Sequence, residues 1–204
     1  MRLLLAFLIG ILPLIASANS GNMYTYQVSQ NSWVSLSGAT NINRFTCTSQ
    51  GDIPRGFILA DILPGSNAIY FKDAQLGLEV ASFDCQNRMM NRDLHEALGG
   101  TKSPYISIDL VEIRPHESVK RGDEGKVRAS VAININGQTK HTDITVDFRQ
   151  GPTLGMVVAG SKKMKMSDFG IDPPSPAMGI VKVRDEVTIQ FHLIVETSLI
   201  TESR

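Results

Sequence analysis

Over most of its length the chain alternates apolar and polar side chains with period two. Val127, Ala129, Val131, Ile133 and Ile135 interleave with Arg128, Ser130, Ala132, Asn134 and Asn136, and the beat returns in Ile144, Val146 and Phe148 against Asp143, Thr145 and Asp147. Successive side chains of an extended strand leave opposite faces, so each run predicts a strand with one apolar face and one wet face. Between them stands Asn136-Gly137, two residues that tolerate the positive φ of a type I′ hairpin turn. A two-residue turn there sets a register in which Ile135 opposes Gln138, Val131 opposes Thr142, Ala129 opposes Ile144 and Val127 opposes Val146, so most of the apolar faces coincide.

Further strands are expected over residues 33–37, 45–48, 57–62, 68–71, 76–83, 105–113, 153–159, 163–166 and 186–195. The last of these carries Val187, Ile189, Phe191, Leu193 and Val195 on one face. A single helix is expected over 88–98, capped by Asn87, ended by Gly99-Gly100 and striped by Met89, Met90, Leu94 and Leu98. Pro173-Pro174-Ser175-Pro176 marks a loop before the final strand, and the residues after Thr197 read as a frayed tail. Many antiparallel strands and little helix point to an all-β fold, an antiparallel barrel of about eight strands with one short α-helix. A two-sheet sandwich is the alternative, because it also buries one face of every strand.

Composition adds limits on function. The chain has 204 residues, 42% hydrophobic, with 20 basic against 20 acidic side chains. It therefore lacks the positive excess with which proteins neutralise phosphates, and nucleic acid is not an expected partner. Residues 3–15 form an apolar run after Arg2, and Ala16-Ser17-Ala18 follows as a small-residue site. That pattern predicts a signal peptide over 1–18, cleaved near Ala18, and a single domain over 19–204 in the periplasm or secreted. The run is shorter than the roughly twenty residues a spanning helix needs, so the mature protein is not expected to span a membrane. Cys47 and Cys85, the only cysteines, then enter an oxidising compartment, where an isolated pair is expected to bond and to stabilise the fold by about 4 kcal/mol.

The polar groups offer little chemistry. The four histidines are His95, His116, His141 and His192, and no H-E-x-x-H or Cys/His cluster accompanies them, so no metal site is expected. His141 and Asp143 share the outward face of a strand, with Asp143 opposite Ser130 and diagonal to Arg128, while His192 alternates away from the apolar face. Arg92, Asp93 and His95 read as the polar face of the helix. Asp168-Phe169-Gly170 matches a kinase triplet in letters only, Arg121-Gly122-Asp123 reads as a solvated turn, and no serine sits in G-x-S-x-G. No catalytic residue is proposed, and the chain reads as a non-enzyme.

The apolar faces say more. An eight-stranded barrel is either filled by its own side chains or holds one small ligand, and side-chain volume decides between them. Val127, Ala129, Val131 and Val146 are small, aromatics are scarce, and Met164 and Met166 alternate with Lys163 and Lys165. This phase turns two adaptable thioethers inward and two charges outward. The expected lining is Val131, Ile133, Ile144, Val146, Phe148, Met164, Met166, Ile189, Phe191 and Leu193, around a cavity for a flexible hydrocarbon. A barrel filled by these same residues is the alternative.

Several segments together are similar to one family. Met90-Asn91-Arg92-Asp93-Leu94-His95-Glu96-Ala97-Leu98 followed by Ser103-Pro104-Tyr105-Ile106-Ser107-Ile108, then the hairpin around Asn136-Gly137 with Thr139-Lys140, then Met166-Ser167-Asp168-Phe169-Gly170-Ile171, resemble in order the YceI-like family of secreted lipocalin-like barrels. Ile108 stands where an aromatic is usual. The segment Ser37 to Cys47, with Cys85 as its mate, resembles a cysteine-containing subgroup. The resemblance implies a barrel around an elongated apolar cavity, which in some members holds a polyisoprenoid chain such as a quinone tail. On it rests the expectation of an exported, non-catalytic protein whose partner is an apolar isoprenoid or lipid molecule, with no other cofactor. A homodimer is compatible with that reading. The alternative function is a structural or stress-related envelope protein with a filled barrel and a protein partner.

The first expected outcome concerns export: protein recovered from the periplasmic or secreted fraction should begin Asn19-Ser20-Gly21 on N-terminal sequencing, and a mature chain beginning at Met1 would refute the leader.

Overall fold

The computed structural model describes residues 22–49, 56–62, 67–115, 124–151, 155–176 and 178–200. The expected leader, His116 and Arg121-Gly122-Asp123 lie outside the described residues. In chain order the elements are β1 (Asn22–Val28), β2 (Trp33–Thr40), β3 (Arg44–Ser49), β4 (Gly56–Ile62), β5 (Ile69–Lys72), β6 (Gln75–Glu79), β7 (Phe83–Asp84), α1 (Arg88–Ala97), β8 (Tyr105–Pro115), β9 (Glu124–Ile135), β10 (Gln138–Gln150), β11 (Met156–Lys165) and β12 (Val183–Leu199). Every strand pairing is antiparallel, and the order β1-β4-β5-β8-β9-β10-β11-β12 returns to β1. The eight strands close a ring, so the architecture is a lipocalin-like barrel and not the sandwich.

The long last strand makes the closure. Its C-terminal part pairs with β1 from Val28↔Val195 to Tyr24↔Leu199, and its N-terminal part pairs with β2 from His192↔Trp33 to Val183↔Thr40. At the β2 end, β3 and then β7 extend the wall. The hairpin of β9 and β10 has the register expected from its turn, with all four pairs that the sequence sets. Asn136 and Gly137 take φ of 50° and 79°, the left-handed pair a type I′ turn requires.

One end of the barrel is plugged. Asn87 caps α1 through Oδ1, which accepts from the N–H groups of Met89 at 3.0 Å and Met90 at 3.1 Å. Met90, Leu94, Ala97 and Leu98 pack against the core, together with Phe169 and Ile171 from the segment after β11. Helix and β7 are tied by three hydrogen bonds. The Cys85 N–H donates to Asn91 Oδ1 at 2.7 Å, Asn91 Nδ2 donates to Asp84 at 2.8 Å, and His95 Nε2 donates to the Phe83 carbonyl at 2.9 Å. The first two act on Asp84 and its neighbour, and the Asn91 amide, with the Gln86 N–H, holds the Asp84 carboxyl below its usual range. Cys47 on β3, fully buried, is bonded to Cys85 just after β7, as expected from the pair.

Local expectations fail in five places. β1 is an unforeseen strand; it exists because β4 and β12 offer it edges on both sides. The expected strands 153–159 and 163–166 are one strand, β11, for its described part, because Gly160 stays in the β11–β12 ladder opposite Phe191. Met89 is not in the helix stripe: it is 62% exposed, one step of about 100° around from Met90. Leu199 and Ile200 are not frayed, since β12 runs on beside β1 and the Ile200 N–H donates to the Met23 carbonyl at 2.9 Å. The run 76–83 is also interrupted, by a 3₁₀ turn over Val80–Ser82.

Reduction of the Cys47–Cys85 bond should lower the free energy of urea unfolding by about 2–4 kcal/mol, because it frees a long loop of the unfolded chain. Unfolded, unreduced protein should show no free thiol by mass labelling, and two labelled cysteines would refute the pairing.

Candidate functional site

Residues opposed in an antiparallel ladder share a face, so the registers define the inner surface of the barrel. On β9 it is Val127, Ala129, Val131, Ile133 and Ile135; on β10, Gln138, Lys140, Thr142, Ile144, Val146 and Phe148, the first two exposed; on β11, Met156, Val158, Gly160, Lys162 and Met164; on β12, Val187, Ile189, Phe191, Leu193 and Val195. β8 keeps Leu110 and Ile113 on this face because an irregularity between Leu110 and Glu112 sets Val111 outside the ladder, 41% exposed. Tyr24, Tyr26 and Val28 complete it on β1.

Burial divides this surface into two halves. At the end near α1, Leu78, Phe83, Ile106, Val131, Ile133, Ile135, Met164 and Val187 are all buried. At the other end Tyr24, Tyr26, Ile58, Phe71, Ile113, Val127, Phe148, Val158, Leu193 and Val195 point the same way yet keep part of their surface accessible. Inward side chains keep accessible surface where the lumen or its mouth is not filled. The barrel is therefore densely packed at the α1 end and more loosely packed, with its inward side chains partly accessible, at the other.

Two features shape the hollow half. A Cβ on Gly160 would stand 2.5 Å from Cζ of Phe191, so the glycine lets that ring lie against the wall instead of projecting into the lumen. Tyr26 donates its hydroxyl to the Gln75 carbonyl, and burial pushes its phenol above the ordinary value. The polar end of an inward side chain is thus satisfied, and the surface it presents to the lumen is its ring.

The residues expected to line the cavity distribute across both halves. Val131, Ile133, Ile144 and Met164 are buried in the packed core; Val146, Met166, Ile189, Phe191 and Leu193 pack against that core with part of their surface open. Phe148 lies near the hollow end, opposite Val158. The sequence reading missed Tyr24, Tyr26, Ile113, Val158 and Val195, although period two already marked the last of these. It also missed Lys162, which shares the phase of Met164.

Outside the barrel no competing chemistry assembles among the described residues. Among the described residues no group of three His, Cys, Asp or Glu side chains could hold a metal. Arg92 pairs with Asp93 at 3.1 Å beside a surface hollow of about 410 Å³ under α1, and His95 is engaged by Phe83. His141 is exposed; Asp143 accepts from the Ser130 hydroxyl at 2.7 Å. His192 stacks on Trp33 on the outer face, ring centroids 6.0 Å apart.

The barrel has relatives. A family profile described as the YceI-like domain matches residues 31–195. The chain belongs to the YceI-like family. BcnA of Burkholderia cenocepacia is 21% identical with a TM-score of 0.62, over 82% of this chain and 99% of that one. A polyisoprenoid-binding domain from Saccharophagus degradans, implicated in plant cell wall breakdown, is 12% identical with a TM-score of 0.63, over 86% of this chain and 98% of that one. At these identities the two structures share the YceI-like fold. No curated protein sequence is significantly similar to the chain.

Paired substitutions test the division of the lumen. Val131→Trp, in the filled half, should cost 1–3 kcal/mol or more in urea unfolding, roughly the cost of overpacking a core. Val158→Trp should cost under about 1 kcal/mol, because its added volume enters open space. Equal costs would mean that the barrel is filled throughout.

Proposed function

We propose that this YceI-like protein is an exported, non-catalytic binding protein that holds a long apolar molecule, isoprenoid- or lipid-like, in the hollow half of its barrel. The observation that carries this reading is the set of inward apolar side chains, among them Val158, Leu193 and Val195, that remain partly accessible inside a closed ring of strands. Leaving such surface wet is unfavourable, and each CH₂ of a ligand that covers it contributes about 0.8 kcal/mol before ordering costs. A chain of a dozen carbons then supplies on the order of 10 kcal/mol gross. The Saccharophagus degradans neighbour, described as polyisoprenoid-binding, supports the same class of ligand.

The proposed lining is Val146, Phe148, Ile189, Phe191 and Leu193, closed below by Val131, Ile133, Ile144, Met164 and Met166. The Cys47–Cys85 bond suits a periplasmic or secreted site. Among the described residues no helix is long and apolar enough to cross a membrane.

Organic extraction of the purified protein followed by mass spectrometry should release an apolar chain compound. Gly160→Val should push the Phe191 ring into the lumen and reduce retention of a fluorescent isoprenoid analogue, with the fold kept by circular dichroism. Protein that releases nothing and never binds the analogue would refute the cavity and favour the filled, structural barrel.

A further inference from the structure

The wall of the barrel is not sealed along its whole height. β10 begins at Gln138 and β11 runs to Lys165, yet the two strands pair only from Gln150↔Met156 to Val146↔Gly160. Over the remaining residues, 138–145 on β10 and 161–165 on β11, each strand keeps a partner on its far side only. A seam therefore opens between them, beginning where the hollow half of the lumen ends.

Lys162 stands at the head of this seam. It follows Met156, Val158 and Gly160 on the inward phase of β11 and precedes the buried Met164, and it pairs with the inward Ile189. Its position is the boundary between open and filled lumen. The side chain is partly buried, and Nζ donates to the Asp143 carbonyl at 2.7 Å, across the seam. An ammonium carries three donors, and this is its one hydrogen bond among the described residues. The Asp143 carboxylate accepts from Ser130 instead. None of the ion pairs among the described residues includes Lys162. Its neighbour Lys163, on the outer face, does pair, with Glu186 at 3.1 Å.

A cation on the inward face of an apolar lumen is costly unless a counter-charge or hydrogen-bond acceptor meets it. Resting on the reading of the hollow half as an apolar-chain site, we infer that Lys162 anchors the anionic head of that ligand, a carboxylate or phosphate, at the floor of the cavity. The chain then runs along β11 toward Met156, about 20 Å of strand at roughly 3.3 Å per residue. The seam admits water to the head while the walls keep the chain dry. Lys162 is in this account a specificity-determining residue: it separates ligands by their heads, while the walls bind their tails.

Isothermal titration calorimetry with four probes tests the anchor: geranylgeranyl monophosphate against geranylgeraniol, and hexadecanoate against hexadecanol. The protein should bind each anion about tenfold more tightly than its alcohol, the margin of a charge-assisted hydrogen bond. Lys162→Met should abolish that margin and leave alcohol affinity in place, Lys162→Arg should keep it, and Lys163→Met should leave it unchanged. Melting curves show that each variant is folded. A margin for one anion only identifies the head that fits and supports the anchor. Alcohols bound as tightly as anions, or a margin that survives Lys162→Met, would overturn the anchor alone. If no probe binds, the apolar-chain reading fails and the anchor fails with it.

Discussion

Everything in this molecule depends on β12 pairing with two strands along one edge. A sheet whose inner face is apolar gains from pairing its edges, because an exposed ladder of N–H and C=O groups invites aggregation. β12 prevents this by taking β2 along its first part and β1 along its last, on the edge opposite β11. Since β1 also pairs with β4, the ring closes there. A shorter last strand would leave β1 without its second edge and the hollow end open along its side.

Closure at one level and plugging at another give the two halves different physics. Below, the disulfide, the three hydrogen bonds between α1 and β7, and the packing of Phe169, Ile171 and Leu98 fix a dense core. Asp185 contributes by accepting from the Ser167 hydroxyl at 2.6 Å and N–H at 2.9 Å, bonds that hold its carboxyl below the usual range. Above, the same kinds of side chain keep part of their surface accessible. Packing and cross-links are concentrated in the lower half, which is therefore the more resistant to local opening.

Two polar side chains on the inner wall are held in different ways. Tyr26 is neutralised as a polar group by Gln75. Lys162 has a single carbonyl and stands where the β10–β11 ladder stops. The contrast follows from geometry: a hydroxyl has one proton to donate, whereas an ammonium has three and carries a full charge.

Much of the architecture was legible in the sequence. The β9–β10 register followed from Asn136-Gly137 and period two, because a two-residue turn fixes which residues oppose and the alternation fixes which face they share. The Asn87 cap and the cysteine pair were legible for the same kind of reason, being local or chemically unique. Some facts have no local cause. Tyr24, Tyr26 and Val28 form too short a run to announce a strand, and they become one because two distant strands supply partners. Gly160 reads as a break until Phe191 covers it across the ladder. Period two assigned Val131 and Leu193 to equivalent inward surfaces, yet one is buried in the packed core and the other keeps part of its surface accessible. Alternation reports only which face a side chain leaves, whereas filling depends on how many side chains from all strands meet at one height, and that is decided by stagger, plug and closure together.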